Sequence, residues 1–96
     1  MILLTKEIIK KLPKLGEQEN KGLDAVVYVK FFTPWSNWTW YATEFDGKDT
    51  FFGLVDGLCK ELGYFSLSEL EAITGLFGLK VERDLYFLPI KLKDLM

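Results

Sequence analysis

Three runs of β-branched and aromatic residues, separated by short turns, constrain the fold of this chain more than any other feature. The runs cover residues 25–32, 38–45 and 50–55. A five-residue turn at 33–37 separates the first two, and the sequence Asp-Gly-Lys-Asp at 46–49, a strong hairpin signal, separates the second and third. This spacing predicts three consecutive antiparallel strands joined by hairpins.

The alternation of residue types within these runs predicts which side chains share a face of the sheet. The first run is apolar on both faces, which indicates a central strand. In the second run we expect Trp38, Trp40 and Ala42 on one face. Tyr41 and Phe45 are expected on the opposite face.

Two helices carry start and stop signals. Thr5 is the predicted N-cap of a first helix, which Pro13 should end. Ser66 and Glu69 have the spacing of a capping box, so a second helix should begin there. Gly75 is the predicted C′ residue of that helix.

Further segments are assigned from local composition. Gly53, inside the third run, predicts a bulge or a ring lying across the backbone. Residues 62–65 and 85–88 are interpreted as short strands. Residues 16–22 contain no apolar side chain and predict a mobile solvent loop, whereas the apolar turn at 75–79 is expected to pack on the rest of the protein.

Together these elements predict an α+β fold in a single domain spanning residues 1–96. We expect a three- to four-stranded antiparallel meander with an N-terminal helix and a second short helix after the last meander strand. The helices should lie on one face of the sheet. A meander this short leaves an exposed edge strand, so a homodimer is left open.

Missing residue types restrict the chemistry. The 96 residues include no histidine, one cysteine (Cys59) and one arginine (Arg83). The chain therefore lacks the usual proton shuttle of neutral-pH catalysis and the commonest metal ligand, and it has a single guanidinium for phosphate. We predict a non-enzymatic protein with no cofactor, no catalytic residue, no metal site and a buried or inert thiol at Cys59.

Three carboxylates cluster around the predicted hairpin at 46–49, namely Glu44, Asp46 and Asp49. Paired acids can perform general acid–base catalysis or hold a hard cation. Carboxylates in hairpin turns are nevertheless ordinary turn residues, and no calcium-loop spacing is present. We expect a structural role for these side chains.

Aromatic residues are in surplus, with three Trp, four Tyr and eight Phe. Trp35, Trp38 and Trp40 lie within six positions, and Tyr28 and Tyr41 are expected nearby. One interpretation is a stacking platform for a base, sugar or peptide. The other is that Trp38 and Trp40 fill the core under a helix, while Trp35, in a turn after a proline, marks a contact surface.

Charge is segregated along a chain whose net charge is −2. Residues 6–14 carry four lysines and one glutamate, a net +3, and residues 44–71 carry seven acidic residues and two lysines, a net −5. Lys6, Lys10, Lys11 and Lys14 could contact phosphate or an acidic partner, or simply form a solvated helix face. The acidic total and single arginine argue against nucleic acid.

Several blocks of the sequence resemble the bacterial domain-of-unknown-function family 2958. The resemblance covers nearly the whole chain and rests on residues 4–7, 27–34, 37–46, 51–55, 61–70 and 81–87. It implies a small single-domain protein of the kind found on plasmids, integrated elements and phages, sometimes near anti-restriction genes. No activity, cofactor or catalytic residue is established for that family, so none is implied here.

The leading hypothesis is a cytoplasmic, non-enzymatic protein that docks to another protein, as an accessory factor of a mobile genetic element with a role in maintenance or counter-defence. No secretory segment or membrane span is predicted, and one cysteine suits a reducing compartment. The alternative is a nucleic-acid-associated accessory protein that uses the helix lysines with exposed aromatic residues. If Trp35 is a binding residue, Trp35→Ala should abolish docking and leave the melting temperature almost unchanged.

Overall fold

The computed structural model describes all 96 residues and shows an α+β fold, as predicted. Its strands are β1 (Val26–Val27), β2 (Val29–Phe32), β3 (Thr39–Phe45), β4 (Thr50–Asp56), β5 (Lys60–Ser66), β6 (Glu82–Arg83) and β7 (Ile90–Lys91). The main sheet is antiparallel with the order β5-β4-β3-β2-β6, and β1 pairs with β7 in a small second sheet. The meander therefore has four strands, to which β6 adds a fifth.

Two short α-helices begin where their caps predict. In α1 (Lys6–Lys11) the Thr5 hydroxyl accepts a hydrogen bond from the Ile8 amide. In α2 (Leu67–Ala72) the Ser66 hydroxyl accepts one from the Glu69 amide. Because α2 ends at Ala72, the prediction of Gly75 as its C′ residue is wrong. Short 3₁₀ turns occupy Glu19–Asp24, Leu76–Gly78 and Leu92–Asp94.

A β-bulge in β3 decides which face its second half presents. Ala42 is opposite Gly53 and Glu44 is opposite Phe52, so Thr43 is the extra residue. The bulge places Phe45 on the same face as Trp40, so the expectation from simple alternation is wrong. Gly53 itself marks neither a bulge in its own strand nor an overlying ring: the bulge is in β3 opposite it, and a Cβ at Gly53 would lie 1.8 Å from the Tyr41 carbonyl oxygen.

The main sheet has an apolar cluster on each face. On the first face, α1 and α2 cover a core centred on Phe51, whose ring lies 5.4 Å from Phe31, 4.5 Å from Phe45 and 5.1 Å from Phe65 between centroids. On the second face, a smaller core joins the sheet to β1, β7 and the C-terminal turn through Ala25, Val27, Leu54 and Leu92. Both α-helices lie on one face, as predicted.

Four local expectations need correction. The first apolar run is split at Tyr28 into β1 and β2, which pair with different strands. Residues 85–88 form a turn and extended chain, and the strand of that region is β6. Residues 16–22 are not fully solvated, because Gln18 is buried with 3% exposure. The turn at 75–79 is exposed and does not pack into a core.

Candidate functional site

The three tryptophans lie together at one end of the main sheet. Trp38 precedes β3 and Trp40 lies within it, and their rings stack with centroids 6.0 Å apart. Trp40 is buried in the first core, whereas Trp38 is 38% exposed. Trp35, in the turn between β2 and β3, is half-buried against the same core. The tryptophans therefore form a continuous aromatic surface that runs from the core to solvent.

Two glycines fix the positions of the outer rings. A Cβ at Gly57 would lie 2.3 Å from a ring carbon of Trp38, and a Cβ at Gly75 would lie 2.1 Å from a ring carbon of Trp35. Each indole therefore lies flat against backbone that only glycine allows. This explains the role of Gly75, which the sequence assigned to a helix end.

Between these rings is an open groove of about 310 Å³, which we call the aromatic groove. It is lined by Thr33, Trp35, Ser36, Trp38, Trp40 and Ile73. None of these side chains carries a charge. The groove can therefore contact apolar or aromatic groups, but it has no cation for a phosphate or carboxylate and no carboxylate for a base.

Directly after Gly75 the chain forms an exposed apolar tip, residues Leu76, Phe77, Gly78 and Leu79. Phe77 is 98% exposed and Leu76 is 65% exposed. Phe77 is also the one non-glycine residue with a positive φ, at 58°. A bulky side chain in this left-handed region is strained. The sequence pattern did not identify this tip as a surface, because an apolar turn is normally interpreted as one that packs inward.

The other aromatic residues expected near the tryptophans lie elsewhere. Tyr28 lines a separate cavity beside α1, together with Lys11. Tyr41 is on the second face, tilted against Phe87 with centroids 6.2 Å apart, and Lys30 Nζ lies 5.9 Å from its ring. Burial raises the pKa of Tyr41, and the negative charges of nearby carboxylates add to this effect. Neither tyrosine lines the aromatic groove.

All four lysines of the N-terminal region, Lys6, Lys10, Lys11 and Lys14, are exposed. None of them has a carboxylate within 4.0 Å, since the three ion pairs of the structure involve Lys30, Lys91 and Lys93. The lysines lie on and just after α1, and none lines the aromatic groove. The structure therefore does not combine the predicted lysines and tryptophans into one site.

Each of the three hairpin carboxylates accepts hydrogen bonds from backbone amides, and Asp49 also accepts one from a hydroxyl group. Glu44, which is 5% exposed, accepts hydrogen bonds from the amides of Gly16 at 2.9 Å and Gln18 at 2.7 Å. Asp49 accepts hydrogen bonds from the amide and hydroxyl of Ser68. Asp46 caps its own turn. No group of three or more metal-ligating side chains is positioned to hold an ion.

The turn at Asp46 makes a prediction about acid stability. Its carboxylate accepts hydrogen bonds from the amides of Lys48, Asp49 and Thr50, which lower the pKa of Asp46 below its ordinary 3.8. The stabilisation is present above that ordinary value and is lost as the pH falls through the lowered pKa. In urea unfolding, wild type should exceed Asp46→Asn in unfolding free energy at neutral pH, and the difference should shrink below about pH 3.8. A difference that stays constant down to about pH 2 would contradict this.

Cys59 is exposed, and its thiol donates a hydrogen bond to a Glu61 carboxylate oxygen at 3.1 Å. This hydrogen bond and the negative charge of Glu61 raise the pKa of Cys59, so the reactive thiolate is disfavoured. The expectation of burial for Cys59 is therefore wrong, whereas an inert thiol stays a prediction.

Comparison with known proteins places the chain in a family without assigning an activity. No helix of the structure has the length and apolar character needed to cross a membrane. No significant match exists among curated proteins or among solved structures. The family model described as "Protein of unknown function (DUF2958)" matches residues 3–92, nearly the whole sequence. The chain therefore belongs to the DUF2958 family.

Proposed function

We propose that this chain is a non-enzymatic, cytoplasmic protein-binding factor that docks to its partner through the aromatic groove and the apolar tip. The observation that carries the proposal is that these two apolar surfaces are continuous through Gly75, on which Trp35 lies. Because the family resemblance implies an association with mobile elements, the protein would serve such an element as an accessory factor.

The composition of this surface indicates the chemistry of its partner. The groove lining is uncharged and presents indole rings, which supply large contact areas at low cost in conformational entropy. Aromatic residues are enriched at the energetic centres of protein interfaces. The occupant that fits is therefore an apolar, uncharged segment of another protein, with a pocket or hollow that accepts the side chain of Phe77.

The conformation of Phe77 supports the same assignment. A phenylalanine in the left-handed region costs about 1 kcal/mol relative to glycine at the same position. This side chain is 98% exposed and gains almost nothing from packing within the chain. A strained residue that contributes little to folding points to a role in binding.

The test is a pull-down from an extract of the organism that encodes the protein, with and without nuclease, read by mass spectrometry. Wild type should retain one stoichiometric protein partner after nuclease treatment. Trp38→Ala and Phe77→Gly should each weaken capture at least tenfold, as expected for interface centres worth about 2 kcal/mol. Phe77→Gly should also fold with unchanged or higher stability, because the strain is removed.

Tyr86→Ala is the matched control, because Tyr86 is 91% exposed but lies outside the groove and the tip. It should leave capture unchanged. Equal loss with Tyr86→Ala, or full capture by both Trp38→Ala and Phe77→Gly, would contradict the proposal. Trp35→Ala is less informative, because Trp35 also packs on the first core and its truncation should reduce stability.

A second candidate, a nucleic-acid-associated accessory protein, is supported by the exposed and unpaired lysines of the N-terminal region. Four unpaired ammonium groups within nine residues could neutralise phosphates along one strand. This function predicts binding to DNA or RNA that weakens steeply with salt, and loss of binding when Lys6, Lys10 and Lys14 are replaced by glutamine. Partners that disappear after nuclease would favour it over protein docking.

A further inference from the structure

The two edges of the main sheet differ in how far they are protected. The β6 edge is two residues long, and the N-terminal segment covers it: the Arg83 amide contacts Met1 Sδ, and the Arg83 guanidinium donates to the carbonyls of Ile2 and Leu3. The β5 edge is seven residues long and has no proline or bulge. Long, regular edges of this kind are ordinarily paired or blocked.

The register of β5 against β4 shows which backbone groups point outward. The Leu67 amide donates to the Asp49 carbonyl, and the Gly57 amide donates to the Cys59 carbonyl, both in line with the ladder. Because hydrogen-bonded pairs alternate in an antiparallel ladder, Phe65, Gly63 and Glu61 bond inward to β4. The backbone groups that remain face away from the sheet and belong to Lys60, Leu62, Tyr64 and Ser66.

Two of these four residues, at the centre of the edge, carry exposed apolar side chains, and they are flanked by Lys60 and Ser66. Leu62 is 44% exposed and Tyr64 is 70% exposed. Both lie on the second face and line an open groove of about 280 Å³ between the edge and the chain around Leu23. The centre of the edge therefore offers unpaired backbone and apolar side chains at the same two positions.

We infer that β5 pairs with β5 of a second copy of this chain, in an antiparallel register centred on Gly63. The four outward-facing residues are symmetric about Gly63, so this register pairs all seven residues, whereas a shift of two positions in either direction pairs only five. A two-fold axis at Gly63 generates the second half of the contact from the first. The result is one continuous ten-stranded sheet.

Side-chain chemistry fits this register. Leu62 of each copy lies opposite Tyr64 of the other copy, so the two-fold axis creates two apolar cross-strand pairs on the second face. Glu61 lies opposite Phe65 and Lys60 opposite Ser66, so no like charges face each other directly. Gly63 meets Gly63 on the axis, where each has open space around the position of a Cβ.

Sedimentation equilibrium over a concentration series tests the association. Wild type should approach twice the chain mass of 11.1 kDa as its concentration rises. Tyr64→Pro should remain at the mass of one chain and stay folded, because the proline removes an outward amide that β4 does not use. The double variant Leu62→Lys with Tyr64→Lys should also be monomeric, because it places lysines opposite one another.

Oxidative cross-linking in a Cys59→Ser background tests the register. Gly63→Cys should form a symmetric disulfide, because a non-hydrogen-bonded antiparallel pair has Cα atoms about 4.5 Å apart, within disulfide reach. Leu62→Cys is the matched control and should not cross-link with itself, because two residues of offset separate the copies. Mixing Leu62→Cys with Tyr64→Cys should give a mixed dimer.

Two results would overturn the inference. The first is a wild-type mass that stays at one chain throughout the series. The second is a dimer that Tyr64→Pro and the double lysine variant leave intact, or that cross-links at Leu62→Cys and not at Gly63→Cys. The pull-down result for Trp38→Ala is independent of both the sedimentation mass and the cross-linking pattern, because Trp38 is not in β5.

Discussion

Glu44→Ala should lower the free energy of unfolding by about 3 kcal/mol, because two backbone amides lose a charged acceptor. The Glu44 carboxylate is buried without a cationic partner and is held by the amides of Gly16 and Gln18. Gln18 in turn bonds the Val26 backbone through both of its amide atoms and the Thr43 carbonyl through Nε2. Removing Glu44 therefore loosens the connection between the 16–18 segment, the bulge and β1.

Urea unfolding of purified variants provides the measurement. Glu19→Ala is the control. Glu19 is an exposed glutamate that lines, with Glu44, the groove of about 280 Å³ beside β5, and its side chain makes no hydrogen bond in the structure. Its loss should therefore change stability by less than about 0.5 kcal/mol. Glu44→Gln keeps one acceptor oxygen, so its unfolding free energy should lie between those of Glu44→Ala and Glu19→Ala. An unfolding free energy for Glu44→Ala equal to that of Glu19→Ala would refute the structural role of the carboxylate.

Phe51→Ala should be at least as destabilising, by about 4 kcal/mol, because it empties the centre of the first core. Phe51 is fully buried, and its ring contacts those of Phe31, Phe45 and Phe65. Truncation removes apolar contacts with all three and leaves a cavity that the sheet and both helices cannot close. The expected melting temperature is lower by more than ten degrees for a domain of this size.

Phe77→Ala is the matched control for Phe51→Ala, because the residue type is the same but the side chain is 98% exposed. Its stability should stay within about 0.5 kcal/mol of wild type. Similar losses for the two variants in thermal unfolding would show that the apolar tip packs in solution. That result would also remove the tip from the proposed docking surface.

The elements that the sequence predicts well are those specified by local interactions. Each of these elements depends on a side chain that accepts hydrogen bonds from nearby backbone amides. The acceptors are Thr5, Ser66 and Asp46, and each amide lies at most four positions along the chain. The buried positions of β2 also follow simple alternation. These features need no knowledge of the rest of the chain, because the interacting groups are neighbours in sequence.

The candidate site was only partly visible in the sequence. The cluster of Trp35, Trp38 and Trp40 was identifiable from spacing, and these residues do share one groove. Tyr28 and Tyr41 were expected beside them but lie elsewhere, since the split at Tyr28 and the two-sided sheet separate them from the tryptophans. The exposure of Phe77 could not be predicted, because composition alone does not show whether an apolar turn has a surface to pack on.

By itself the sequence determined the fold class, the order of the meander strands, both helix starts and the absence of histidine chemistry, because periodicity, caps and composition are local properties. Only the tertiary structure decided that Gln18 and Glu44 are buried partners, that Thr43 is a bulge and that β5 is the open edge. Each of these depends on contacts between segments far apart in the chain. A hydrogen bond across 26 residues, such as that from Gln18 to Glu44, leaves no periodic trace in the sequence.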